Sequence, residues 1–181
     1  MKKDTGRYEW LVAALLFVAT RWFVLLFNSG FALFITMEEM IYPTIAVERM
    51  RGNPLVEGML YQGYTSGGFW LQTWLVMPFI RLLGCSRYAV KIVPIAFSLA
   101  AFLLYRHLAR KYFGAFAARI FAAVMILGVP LLLHLQVVGY AGHNELSAFW
   151  AAGFLCLFWL LFEAEKTWRA TSGAAFLLGL I

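Results

Sequence analysis

The chain has 181 residues, of which 63% are hydrophobic and 13% charged, and its mean hydropathy is +0.78. Water-soluble domains carry about 25% charged residues, so this composition excludes a soluble enzyme and equally excludes a disordered chain. The net charge of +6 does not point to nucleic acid, because no basic run interleaved with aromatic residues offers a phosphate-tracking groove.

What remains is an integral membrane protein. The expected fold is all-α: a polytopic transmembrane helix bundle with surface-lying helices in a long first external loop. Residues 1–9 read as a cytoplasmic tail carrying Lys2, Lys3 and Arg7. The run Trp10–Met37 holds 28 residues with a single charge, Arg21. That exceeds the ~20 residues a spanning helix needs and overshoots the ~7–15-residue apolar core of a signal peptide. It is the first span, at 10–35.

An external loop then covers 36–88. A second span at 89–106 leads into the basic hinge Arg106–Gly114, a third span covers 116–137, and an external turn runs from Val138 to Glu145. A fourth span at 146–162 and a cytoplasmic turn, Glu163–Ser172, lead to a fifth helix that starts at Gly173 and stops at Ile181. A nine-residue apolar stub cannot cross a ~30 Å hydrocarbon layer at ~1.5 Å per residue. The expectation is the N-terminal portion of a longer protein.

Charge counting selects this map over one in which Gly67–Leu83 crosses. If that stretch lies on the outer surface, nine lysines and arginines fall inside (Lys2, Lys3, Arg7, Arg106, Arg110, Lys111, Arg119, Lys166, Arg169) and five outside. If it crosses, six fall inside and eight outside. Positive charge accumulates on the cytoplasmic side, so the first arrangement is expected, with the N-terminus cytoplasmic and the protein in the cell (inner) membrane. Gly67, Gly68 and Pro78 interrupt the stretch, and Trp70 and Trp74 share one helical face. Its polar residues are Gln72, Thr73 and Arg81 only.

On this map five of the nine acidic residues, Glu38, Glu39, Glu48, Glu57 and Glu145, face outward. Glu38 and Glu39 follow the first span directly. A carboxylate at the membrane surface, screened by Met37, Met40 and Ile41, suits a general base; the same pair is also the polar end of a helix. The turn Gly139–Glu145 sets His143, Asn144 and Glu145 between apolar runs, where ionisable groups mark functional sites, or where Asn144 caps the following helix with Glu145 at its dipole. Arg21 is too deep to reach the interface easily. It either pairs inside the bundle, as His134 and Gln136 are expected to be satisfied, or approaches a lipid-linked phosphate. Cys85 and Cys156 have no metal-ligand spacing and read as inert core thiols. No metal site or cofactor is indicated.

The run Glu38-Glu39-Met40-Ile41-Tyr42 resembles the Asp-Glu-x-x-Tyr start of the first external loop in GT-C glycosyltransferases, most nearly family 39, the protein mannosyltransferase and aminoarabinose-transferase type. Leu82-Leu83-Gly84 followed by Tyr88-Ala89-Val90-Lys91-Ile92-Val93-Pro94 resembles that family's junction before the second span. Leu104-Tyr105-Arg106-His107-Leu108-Ala109-Arg110-Lys111-Tyr112-Phe113-Gly114 is similar to its basic hinge, and Tyr140–Trp150 falls where the family has a second external acidic motif. The likeness covers nearly the whole chain in order. Glu38 stands where the family prefers Asp, Asn144 or Glu145 where it has Asp, and Thr65-Ser66-Gly67-Gly68 where many relatives have Lys or His-Pro.

The resemblance implies transfer of a sugar from a polyprenyl-phosphate carrier to an acceptor (protein, lipid or glycan) on the outer face, with inversion. It implies Glu38 as base, with Glu39 and Tyr42 shaping the site, and His143, Asn144 and Glu145 facing acceptor or sugar. Lys91, Arg87 and Arg21 are the candidates to hold the carrier's phosphate. The competing readings are a non-catalytic transporter or assembly subunit, with Arg21, His134, Gln136 and Glu145 lining a polar path, and an inactive binding scaffold. An enzyme gathers Glu38, Lys91 and Glu145 at one end, whereas a transporter strings polar groups through the bilayer.

Overall fold

The computed structural model describes residues 5–27, 37–54, 68–128, 130–138 and 143–162, the side chains of 5–7, 37, 38, 68–70, 130 and 143 excepted. Helices α1 (Thr5–Phe27), α2 (Met37–Met50), α3 (Gly68–Leu83), α4 (Arg87–Leu127), α5 (Pro130–Val137) and α6 (His143–Phe162) account for most of them, and no strand occurs among the described residues. The stretches around 28–36 and beyond Phe162, including the expected fifth helix, lie outside the described residues.

Helix α1 buries Ala13, Phe17, Arg21 and Leu25, a stripe of one residue every four, and exposes Leu11, Leu15, Phe23 and Leu26 on the outer face. Spacing by four keeps the stripe on one side of a 3.6-residue helix. The outward face is apolar and the buried stripe contains the arginine, the reverse of a water-soluble helix. That distribution suits hydrocarbon as the surrounding solvent. Three helical segments, Tyr8–Phe27, Arg87–Leu127 and Asn144–Phe162, are long and apolar enough to cross a membrane.

Helix α4 turns back on itself at Gly114, whose φ of 91° and ψ of 172° are non-helical. L side chains rarely adopt this backbone region, so glycine is what permits the reversal. The reversal brings Phe121 of the second arm to within 6.1 Å of Phe102 and 6.4 Å of Tyr105 in the first, ring centre to ring centre. The expected basic hinge is therefore a tight turn joining antiparallel arms. The expected third span at 116–137 is not one helix: its first part ends at Leu127, Gly128 takes φ 45°, and α5 restarts at Pro130. A proline has no N–H to donate to the preceding turn and is suited to begin a helix.

The first arm of α4 runs antiparallel to α1, matching Trp10 with His107, Phe17 with Phe102 and Trp22 with Tyr88. Helix α6 runs parallel to that arm, with Tyr105 against Phe154 and Tyr112 against Phe158. Its buried positions include the small residues Ala148 and Ala151, which let helix backbones approach closely. The central core consists of Ala13, Phe17, Phe102 and Ala122, with the two phenylalanine rings stacked at 4.5 Å.

Helices α2 and α3 pack on each other across one end of the bundle. Tyr42, Ala46, Val76 and Ile80 form a cluster with Ala89, Val90 and Val93 in the opening turns of α4. Helix α3 meets the first turns of α4 through this cluster, against which Phe97 also packs. Gly84 and Cys85 form the short connection to α4, whose first turn is capped where the Ser86 hydroxyl accepts from the Ala89 N–H at 3.3 Å. Cys85 is exposed in that connection rather than being a core thiol, and Cys156 is half-buried.

Candidate functional site

The end of the bundle built by α2 and α3 collects polar side chains from four helices. Glu39 enters from the first turn of α2, Gln72 and Thr73 from α3, Lys91 from the second turn of α4, and Asn144 and Glu145 from the first turn of α6. All six are buried.

At its centre the Lys91 ammonium donates to Glu39 Oε1 at 2.5 Å, with both side chains fully buried. Tyr42 sits one turn beyond Glu39 and donates its phenol proton to the Val90 carbonyl at 2.9 Å. The two bonds join α2 to adjacent residues of α4. The Thr73 hydroxyl donates to the Tyr42 carbonyl at 3.4 Å, which ties α3 to the same point. Burial, together with the nearby charges of Glu39 and Glu145, pushes the Tyr42 phenol well above its ordinary value of 10.0. The Glu145 charge acts on the same phenol as Glu39, so both expected acidic motifs meet at this end.

Glu145 lies beside the Gln72 amide. Neither its carboxylate oxygens nor the Gln72 amide has a partner at hydrogen-bonding geometry among the described residues, and Asn144 Oδ1 has none either. The Asn144 amide nitrogen donates to the Leu135 carbonyl at 3.5 Å, tying α6 to α5. Helix α6 begins one residue earlier, at His143, so Asn144 belongs to the first turn and is not its cap. Buried polar groups are nearly always paired. The polar groups of Gln72, Asn144 and Glu145, gathered beside an ion pair, form a patch suited to a hydroxyl-rich ligand.

The remaining expected site residues fall as follows. Glu38 is in the first turn of α2 and His143 is the first residue of α6, both with side chains outside the description. Arg87 is exposed at the start of α4 and donates to the Tyr88 hydroxyl at 2.9 Å. Arg21 points into the bundle. Its Nε donates to Gln136 Oε1 at 3.1 Å, Nη2 to the Met125 carbonyl at 2.5 Å and Nη1 to the Ile126 carbonyl at 3.3 Å, with the guanidinium 3.5 Å from the Phe17 ring centre. The Met125 and Ile126 carbonyls end α4, where intrahelical partners run out and a cation is favoured. Every guanidinium nitrogen of Arg21 thus has a partner inside the protein.

Sequence reasoning missed Gln72 and Thr73 as members of the site. The signal was an adjacent amide and hydroxyl in an otherwise apolar helix, which reads equally well as the thin polar face of an interfacial segment.

Among the described residues, fold and site together define an all-helical arrangement with helices apolar and long enough for a membrane and a buried polar cluster at one end. No family model, curated protein or solved structure matches the chain.

Proposed function

We propose that the chain belongs to a GT-C glycosyltransferase resembling family 39, which moves a sugar from a polyprenyl-phosphate carrier to an acceptor at the outer face of the membrane. The observation that supports it is the meeting of Glu39, Tyr42, Gln72, Lys91 and Glu145, drawn from four helices, at the same end of the bundle. An enzyme of this kind needs its base, its phosphate-holding cation and its sugar-binding groups within reach of one anomeric carbon.

In this reading Glu38 takes the proton of the acceptor hydroxyl as its oxygen bonds to the anomeric carbon. The carbon–oxygen bond to the carrier breaks on the opposite face, and polyprenyl phosphate leaves with that electron pair. Lys91 has three N–H donors, so a cation already aligned by Glu39 can also meet the phosphate. Gln72, Asn144 and Glu145 bind sugar hydroxyls. The transporter reading strings Arg21, His134, Gln136 and Glu145 along a polar path; of these, Arg21 already has its guanidinium nitrogens engaged by Gln136 and by the Met125 and Ile126 carbonyls.

The test is transfer from a polyprenyl-phosphate sugar by membranes containing the full-length protein. Glu38→Gln should lower transfer by ~100-fold or more while leaving membrane insertion intact. Unchanged turnover would remove Glu38 as the base.

A further inference from the structure

The opposite end of the bundle carries a second charged cluster that the transfer reading does not use. Glu9, near the start of α1, is met by three arginines from the two arms of α4. Arg119 Nη2 lies 2.7 Å from its Oε1, while Arg110 Nη1 and Arg106 Nη2 lie 3.4 and 3.8 Å from its Oε2. Among the described residues three guanidinium groups thus face one carboxylate, which leaves an excess of positive charge there.

The three are not equivalent. The Arg106 side chain is 3% exposed and its guanidinium stacks 4.4 Å from the Trp10 ring centre. Its Nε and Nη1 have no hydrogen-bond partner among the described residues. Arg110 and Arg119 have side chains 36% and 65% exposed, so part of each planar fork faces outward. Phe113 and Phe116 flank the Gly114 turn and are exposed. A buried cation with unused donors, two outward guanidinium forks and exposed rings at a helix turn combine charge and apolar surface as a membrane interface does.

We propose that Arg106, Arg110 and Arg119 form a binding site for a phosphate anion, and that the phosphate is borne by the headgroup of an anionic phospholipid in the adjoining leaflet. Guanidinium forks match phosphate oxygens in pairs, and basic pockets between membrane helices bind anionic headgroups. The buried Arg106 charge favours the anion from below while Arg110 and Arg119 donate to it. Glu9 holds the arginines in register and competes with the ligand for them.

The test uses the full chain in nanodiscs of phosphatidylcholine with and without phosphatidylglycerol, read by the phosphatidylglycerol retained on purification and by thermal unfolding. The wild type should retain phosphatidylglycerol and unfold at a higher temperature in its presence. The double variant Arg110→Gln/Arg119→Gln should bind it roughly tenfold more weakly, and Arg51→Gln, on a distant exposed arginine, should bind it unchanged. Glu9→Gln should bind it more tightly, a gain that a purely structural Glu9–arginine tie would not give. Equal retention by wild type and double variant, or no gain in Glu9→Gln, overturns the site. Inorganic phosphate raising the unfolding temperature as much as phosphatidylglycerol does would overturn the lipid as its source.

Discussion

Lys91 and Glu39 form an ion pair across α4 and α2 in which neither side chain is exposed and the ammonium lies 2.5 Å from the carboxylate. Removing two charges from water is expensive, and the pair persists because each neutralises the other. It also holds the end of the bundle that collects Tyr42, Gln72 and Glu145.

Breaking the pair on one side should therefore cost more than removing it. Glu39→Gln or Lys91→Met alone should lower stability by about 3–5 kcal/mol, and the double variant should recover much of that loss. Unfolding in detergent measures this as a double-mutant cycle. Additive losses would show that the two residues are not coupled.

Arg21 closes the end of α4 from inside the bundle. Arg21→Met would leave the Met125 and Ile126 carbonyls and Gln136 without its donors, and should cost about 3 kcal/mol or more. Arg21→Lys keeps the charge without the planar fork and should restore only part of the loss. Thermal unfolding of the two variants, compared with Thr44→Ala on the exposed face of α2, measures the difference.

Gly114 has open space around its Cβ position but a positive φ. Gly114→Ala should lower stability by about 1–3 kcal/mol through backbone strain alone. Substitution at Ala115, whose own φ is not positive, should be close to neutral. Equal effects at the two positions would contradict the reversal at Gly114.

The raised phenol of Tyr42 gives a pH dependence of definite sign. Its contribution to stability is fully present below the unfolded-state value of 10.0 and is lost as pH rises above it, because the unfolded chain releases the proton more readily. Tyr42→Phe should remove that alkaline component and cost about 1 kcal/mol at neutral pH through the lost bond to Val90. The check is the difference between wild type and variant across pH, which cancels the other tyrosines and lysines. Identical slopes above pH 10.0 would contradict the burial of Tyr42.

Much of the fold was legible because hydropathy and charge are read over long windows. The apolar runs located α1, α4 and α6, and the basic segment ending in Gly114 marked the turn. The break at Gly128-Val129-Pro130 was written in the sequence but lost in an apolar run that continued on both sides, so α5 was merged into a longer span. At the site, the paired acids after α1 and the polar turn before α6 were visible as separate motifs. Their meeting at Lys91 and Tyr42 depends on how α2 and α3 fold over the end of the bundle, which spacing along one chain does not encode. Gln72 gains its meaning only from lying beside Glu145.

The most direct test is to photo-cross-link a polyprenyl-phosphate sugar analogue to the protein in a bilayer containing excess phosphatidylglycerol, and to map the labelled residues. Labels on α2, α3 and the first turns of α4 and α6, competed away by unlabelled donor, are expected. Labels confined to the Arg106 end, or scattered along the outward faces of α1 and α6, would contradict the assignment of the Glu39–Lys91 end as the site of transfer.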